Sequence, residues 1–327
     1  MEFRKLGNRN IEVSAIAFGA WAAGGWMWGS TDRNEAVQAI KAAYDAGVTT
    51  IDTAPIYGQG TSEEIVGEAI KDIPRDQVQI LSKFGMRWDL PKPQGTLAMH
   101  SQDNQGRPID VYKFAGKESV IKEAEDSLQR LGTDYIDLLQ IHWPDVTVPI
   151  SETMEALELL IQQGKIRAAG VSNYNKAQVL EARQTLDIVS NQIPYSMLNR
   201  EAEVELIPYA LENDLSIIAY SPMERGLLTG KYFKAMQLQD GDHRTNYFKK
   251  FDFQKVEGLV QTLEPLAQDK QISLSQLVLR WTSLQPAVDI VLAGARNAAQ
   301  AKENAKAIEV KISQEELQMI QEVLRKL

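Results

Sequence analysis

Gly47-Val48-Thr49-Thr50-Ile51-Asp52-Thr53-Ala54-Pro55-Ile56-Tyr57-Gly58 opens as a short apolar run and closes on polar residues and a turn. A strand that is apolar on both faces belongs to a parallel sheet covered by helices. The same pattern recurs along the chain. Apolar runs at 14–19, 48–52, 78–84, 135–142, 166–172, 188–192, 216–221 and 289–294 alternate with amphipathic stretches at 33–46, 62–71, 118–131, 152–163, 176–183, 201–213 and 273–284. Strand then helix, repeated about eight times, predicts a (β/α)8 TIM barrel rather than a doubly wound sheet. No composition shift marks a second domain, so residues 1–327 are expected to form one. Thr31-Asp32 reads as a cap on the first helix and Gly47 as its end. Ser62-Glu63-Glu64 and Ser151-Glu152-Thr153 read as helix starts, and Gly164 as a helix stop. Residues 3–13 read as a hairpin turning near Gly7-Asn8, placed to cap the bottom of the barrel.

Two stretches break the alternation. Residues 86–117 carry Pro91, Pro93, Gly95, Gly106, Pro108 and Gly116, and residues 223–253 follow the seventh strand. Both are expected to be long loops at the C-terminal rim, where barrel enzymes keep their sites. They would wall the substrate and cover a cofactor.

The chain has 327 residues, 44% hydrophobic and 24% charged, as in a folded soluble protein. Its formal net charge of -9 argues against general nucleic-acid or anionic-membrane binding. The absence of cysteine excludes thiol catalysis, disulfides and Cys-ligated metals. No apolar run resembles a signal peptide or a membrane span, and a cytoplasmic protein is expected.

Polar residues at the ends of the apolar runs carry the chemistry. Asp52 ends the second run, Lys83 sits at the end of the third and His142 closes the fourth, while Tyr57 lies just beyond Asp52. A buried Asp or Lys is expensive unless paired. Lys83 next to Tyr57 would favour the phenolate and lower the phenol's usual pKa of about 10, making Tyr57 a working acid. Asp52 would hold Lys83, and has a competing role as a cap on the turn before Pro55. This set implies reduction of a carbonyl by a bound hydride donor. No Gly-x-Gly-x-x-Gly opens a helix, so a Rossmann module is not supported. His100 and His243 read as solvated, and no metal site is expected.

Six segments together resemble the aldo-keto reductases over nearly the whole chain: Asp52–Gly58, Ser82-Lys83, Ile141-His142-Trp143-Pro144-Asp145, Gly170-Val171-Ser172-Asn173, Tyr220-Ser221-Pro222 and Gly226-Leu227-Leu228-Thr229-Gly230-Lys231. The details are similar to the bacterial general-stress reductases and, more distantly, to potassium-channel beta subunits. The resemblance implies catalysis by Asp52, Tyr57, Lys83 and His142, with His142 donating to the carbonyl oxygen. It implies a nicotinamide across the barrel mouth, with Asp52 close by. Ser172, Asn173 and Gln192 would bind the carboxamide, and Tyr220 would stack under the ring. Ser221, Pro222, Leu227, Gly230 and Lys231 would line the pyrophosphate. Gly19 and Trp21 match a segment near the cofactor, with Ala20 in place of the usual Thr.

Gly294-Ala295-Arg296-Asn297 opens a helix bearing Gln300, Glu303 and Asn304. A helix N-terminus with an Arg suits an adenosine 2′-phosphate, and the three polar residues share a helical face that would meet the adenine. NADPH is therefore expected over NADH. Trp21, Trp26, Trp28, Trp88 and Trp143 either line an apolar pocket or pack the rim. The expected partner is a small carbonyl substrate; oligomeric state is left open. A redox-sensing regulatory subunit with very slow turnover is the alternative. A barrel hydrolase would need paired carboxylates or a metal cluster at the strand ends, and neither is present in the sequence.

Overall fold

Residues 1–29, 31–234, 238 and 244–326 are described by the computed structural model. Phe3–Lys5 (β1) and Glu12–Ser14 (β2) pair antiparallel as the expected hairpin. Gly7 holds φ 55 in its turn, and a Cβ there would stand 2.7 Å from the Val189 carbonyl oxygen. The hairpin's Leu6, Ile11 and Val13 join one buried cluster with Leu81, Leu138, Ala168 and Ile218 from the barrel strands. The hairpin thus plugs the bottom of the barrel.

The remaining strands follow in chain order: β3 (Ile16–Gly19), β4 (Thr50–Asp52), β5 (Gln79–Phe84), β6 (Met86–Arg87), β7 (Thr96–Gln102), β8 (Pro108–Lys113), β9 (Ile136–Ile141), β10 (Ile166–Ser172), β11 (Ser190–Pro194), β12 (Ser216–Tyr220) and β13 (Val288–Gly294). Among the described residues, β3, β4, β5, β9, β10, β11, β12 and β13 close into a parallel barrel in that order. Every apolar run of the sequence is a barrel strand, with bounds no more than two residues from those expected. Parallel registers such as Gly19↔Asp52, Lys83↔Gln140, Ser172↔Gln192 and Gly294↔Gly19 bring the polar strand ends to one rim.

The barrel interior has little slack. A Cβ on Gly170 would stand 2.3 Å from Ser190 Oγ and 3.2 Å from Gln140 Cγ. Gly170→Ala is expected to destabilise by about 1–3 kcal/mol in urea unfolding. Ser190→Gly in the same chain should recover much of that loss, and an undiminished loss would place the strain elsewhere.

Helix boundaries follow their caps. Asp32 accepts from Glu35 N at 2.9 Å to start Arg33–Asp45, and Gly47 turns the chain at φ 88 beyond its end. Asn175 and Ser273 form capping boxes with Gln178 and Gln276. Ser62 does not cap. The helix Thr61–Ile70 starts from Gly60, and the Ser62 hydroxyl donates to the Ala20 carbonyl at 2.9 Å. The stretch 201–213 divides into a short turn of helix, Glu201–Glu203, and Leu206–Glu212. Pro208 lies in the first turn of the latter, where no intrahelical donor is needed.

Both stretches expected as loops contain secondary structure. Residues 86–117 hold an antiparallel sheet in the order β6-β8-β7. In Pro108–Lys113, Ile109 and Val111 turn inward between the exposed Pro108 and Asp110, and Asp103 Oδ1 ties the turn by accepting from Gln105 N and Arg107 N, both at 2.9 Å. The described part of 223–253 contains Glu224–Thr229, Lys231–Lys234 and Arg244–Phe248 as short helices. The longer helices Phe253–Asp269 and Gln314–Leu324 were not expected; Pro265 inside the first obscures its period. Among the described residues no helix is long and apolar enough to cross a membrane.

Candidate active site

The end of β4 and the end of β5 deliver the buried pair. Lys83 Nζ donates to Asp52 Oδ1 at 2.6 Å and to the Thr53 carbonyl at 3.0 Å, and Lys83 is fully buried. Gln192 Nε2, from β11, donates to Asp52 Oδ2 at 2.8 Å. Burial pushes the Asp52 carboxyl up and the Lys83 ammonium down, while their mutual attraction opposes both shifts. The second carboxylate oxygen is thus satisfied as well, which a buried ion pair requires.

Tyr57 follows through a tight turn, with Tyr57 N donating to Ala54 O at 3.1 Å. Gly58 makes the turn at φ 69, where a Cβ would stand 2.2 Å from Gly24 O. The Tyr57 ring lies 5.1 Å from Lys83 Nζ, edge-on to His142 at 5.6 Å and stacked on Trp21 at 5.9 Å. The geometry joins all four expected catalytic residues, but one electrostatic expectation is overturned. The Tyr57 phenol is held well above its usual pKa of 10, by burial first and then by the Asp52 charge. Lys83 is paired with Asp52, and burial with the Asp52 charge sets the direction of the phenol's shift. Tyr57 therefore keeps its proton at neutral pH. His142 is pushed well below 6.5 by burial and by the Lys83 charge, so its imidazole is neutral.

A cavity of about 540 Å³ runs over this group along the rim. Of the residues expected to hold a cofactor, Gly19, Trp21, Asp52, Ser172, Asn173, Gln192, Tyr220, Ser221, Pro222, Lys231, Gly294, Arg296, Gln300, Glu303 and Asn304 line it. Tyr57 and His142 line it too, and Lys83 stands behind Asp52. Leu227 and Gly230 do not. Leu227 is a fully buried core residue, and Gly230 turns at φ 75 against Val260. Trp26, Trp28 and Trp143 line the cavity, whereas Trp88 packs beside Ala54 and Ile56. His100 is exposed and bonds Asp110 at 2.7 Å; His243 lies outside the described residues.

Several of these side chains are locked by one another. Asn173 Nδ2 donates to the His142 carbonyl at 3.0 Å and to Ser172 Oγ at 3.1 Å, and Asn173 Oδ1 accepts from Tyr220 Oη at 2.9 Å. Gln300 Oε1 accepts from Arg296 N at 2.9 Å, and Asn304 Nδ2 donates to the Gly294 carbonyl at 3.0 Å. Positive φ angles at Met27, Asn173, Ser221 and Arg225 concentrate backbone strain on the same cavity.

Sequence reasoning passed over Arg225, Arg244, Ser275, Met27, Met86 and Met99, all of which line the cavity. The methionines carry no motif. Arg225 and Arg244 fell in a stretch treated as loop, although an Arg beside Gly226, just after a barrel strand, was a signal. The guanidinium groups of Arg244 and Arg296 each lie 5.5 Å from the Trp28 ring, close to the N-terminus of helix Ala298–Ala305. Two cations and a helix N-terminus at one end, with amide and hydroxyl groups near Tyr57 at the other, fit an extended anionic dinucleotide.

The family model described as "Aldo/keto reductase family" matches residues 15–325. The chain is 40% identical over 304 residues to the aldo-keto reductase YhdN of Bacillus subtilis, covering 92% of this chain and 86% of the relative. It is 36% identical over 327 residues to the NADH-specific methylglyoxal reductase of Escherichia coli, covering 97% of each. Among solved structures, the glycerol dehydrogenase of Gluconobacter oxydans superposes with a TM-score of 0.87 at 34% identity, covering 99% of this chain and 95% of that one.

Proposed function

The chain belongs to the aldo/keto reductase family, and from that premise we propose that it reduces aldehydes or ketones to alcohols, using NADPH, with Tyr57 as the general acid. One observation carries this reading: a phenol that holds its proton stands among a neutral imidazole and a buried ammonium–carboxylate pair, at a cavity of about 540 Å³ along the barrel rim. When bound, the nicotinamide supplies the hydride that reaches the carbonyl carbon.

His142 donates a hydrogen bond to the carbonyl oxygen and fixes its position. Tyr57 Oη gives its proton to that oxygen as negative charge develops there. The alkoxide is a far stronger base than water, so a phenol of high pKa still donates to it. The phenolate left behind forms beside Lys83, whose ammonium offsets the new charge. Asp52 and Gln192 keep Lys83 in that place, and the Thr53 carbonyl accepts a hydrogen bond from its ammonium. Trp21 and the methionines of the β6–β8 sheet keep water from the reacting atoms.

Purified protein mixed with aryl aldehydes and NADPH should consume the cofactor and form the alcohol in equal amounts. Binding of NADPH without turnover of any aldehyde or ketone would sink this reading.

Membership of the family does not decide the cofactor, because the Escherichia coli relative is NADH-specific. Arg296 and Arg244 support NADPH. Arg296→Leu is expected to lower the ratio of kcat/KM for NADPH over NADH by about tenfold or more, the worth of a charge-assisted contact to phosphate. An unchanged ratio would assign the 2′-phosphate to other residues. The cysteine-free, acidic chain supports a cytoplasmic location.

A further inference from the structure

Arg225 is a cation that lines the cavity beside Trp21. Its guanidinium lies 3.7 Å above the Tyr247 ring and 5.2 Å from the Trp21 ring. Its Nε is buried and has no hydrogen-bond partner. Among the described residues no carboxylate forms an ion pair with it within 4 Å. The adjacent Glu224 is engaged elsewhere, accepting from the Ser196 hydroxyl and from Tyr247 Oη. Lys250 stands over the Tyr247 ring as well, at 3.8 Å, which adds to the positive charge around the phenol. Burial pushes the Arg225 guanidinium below its ordinary range, against the pull of Tyr247, Tyr220 and Glu224. A desolvated guanidinium is costly until an anion meets it, and its fork matches a carboxylate in bidentate geometry.

The backbone holds Arg225 in this place. Its φ of 56 and the φ of 98 at Gly226 break the short helix Glu224–Thr229 and turn the side chain into the cavity. Trp21 touches both groups, stacking on Tyr57 at 5.9 Å and lying 5.2 Å from the guanidinium. An anion on Arg225 would therefore sit about one aromatic ring's length from a carbonyl oxygen on Tyr57. The intervening walls, including Met27, Trp28 and Met99, are apolar.

We propose that Arg225 forms an anion subsite, and that the preferred substrates are aldehydes or ketones carrying a carboxylate across an apolar spacer of about one ring from the reacting carbonyl. The proposal rests on the carbonyl-reduction reading. Its test compares 4-carboxybenzaldehyde with the methyl ester of the same compound, which keeps the ring and removes the charge. The wild-type protein is expected to favour the acid in kcat/KM by about 10- to 100-fold, the range of a hydrogen bond to a charged group. In Arg225→Met the acid-to-ester ratio should fall to near one, and in Arg225→Lys it should be intermediate. Raised salt should lower the wild-type ratio. A wild-type ratio below about threefold, or a ratio that Arg225→Met leaves unchanged, overturns the subsite. Tighter NADPH binding by wild type than by Arg225→Met, with the ratio unchanged, would assign the guanidinium to the cofactor and overturn the subsite equally. Because the ester reports carbonyl reduction independently, turnover of the ester without preference for the acid removes only the subsite. Failure to reduce either compound or any other carbonyl removes the parent reading. If Arg225→Met fails to fold, the acid-to-ester ratio of Arg225→Lys decides: a value equal to the wild type's overturns the subsite.

Discussion

Tyr57→Phe is expected to lower kcat for carbonyl reduction by about 10²- to 10⁴-fold, the usual worth of a positioned general acid, while NADPH binding stays nearly intact. The change deletes one oxygen and keeps the ring that stacks on Trp21 and meets His142 edge-on. Trp21 and Trp28 line the cavity, so quenching of tryptophan fluorescence measures cofactor affinity in the same variant. A variant that retained more than a tenth of wild-type kcat would remove Tyr57 from its role. The wild-type pH profile offers an independent check. Burial holds the phenol well above 10 and the imidazole well below 6.5, so neither changes protonation between roughly pH 7 and 9. The rate of reduction should be nearly flat over that window.

Lys83→Met is expected to destabilise the fold by about 3–5 kcal/mol, because it leaves one member of a fully buried pair uncompensated. Asp52 would retain only the Gln192 amide as a donor. Equilibrium unfolding in urea measures the loss. The pH dependence has a definite sign. Asp52 already has a raised folded pKa, and removing Lys83 raises it further. A carboxyl raised above its unfolded value of about 4 loses stability as pH rises through that value. Lys83→Met should thus be least damaging near pH 4–5 and most damaging at neutrality. The double variant Asp52→Asn with Lys83→Met removes the stranded charge and should recover most of the stability, yet it should not recover turnover, since the phenolate would form with no cation beside it. A double variant as unstable as the single one would show that the stranded carboxylate is not the source of the loss.

The barrel was legible because its strands are apolar on both faces. That pattern survives in one dimension, and each run from 14–19 to 289–294 became a strand. The hairpin was legible from Gly7 and its flanking residues. The inserted sheet β6-β8-β7 was not, because proline and glycine on its flanks masked an alternation only a few residues long. The helix Phe253–Asp269 was hidden in a similar way by Pro265.

At the site, Asp52 and Lys83 stood out by position, since charged groups at the ends of buried strands demand partners, whereas the roles of Tyr57 and His142 came from the family resemblance. Sequence also determined that the rim would carry the polar groups and that no thiol would take part. Tertiary structure alone decided how the charges are shared: Lys83 closes on Asp52 at 2.6 Å, and the phenol is held above its ordinary pKa rather than below it. It also decided that Leu227 and Gly230 turn away from the cavity while Arg225 enters it beside Trp21. The physical reason is that strand and helix patterns are set by neighbours along the chain. A pKa or a counter-ion is set by distances and burial among residues far apart in sequence, and those exist only once the barrel has closed.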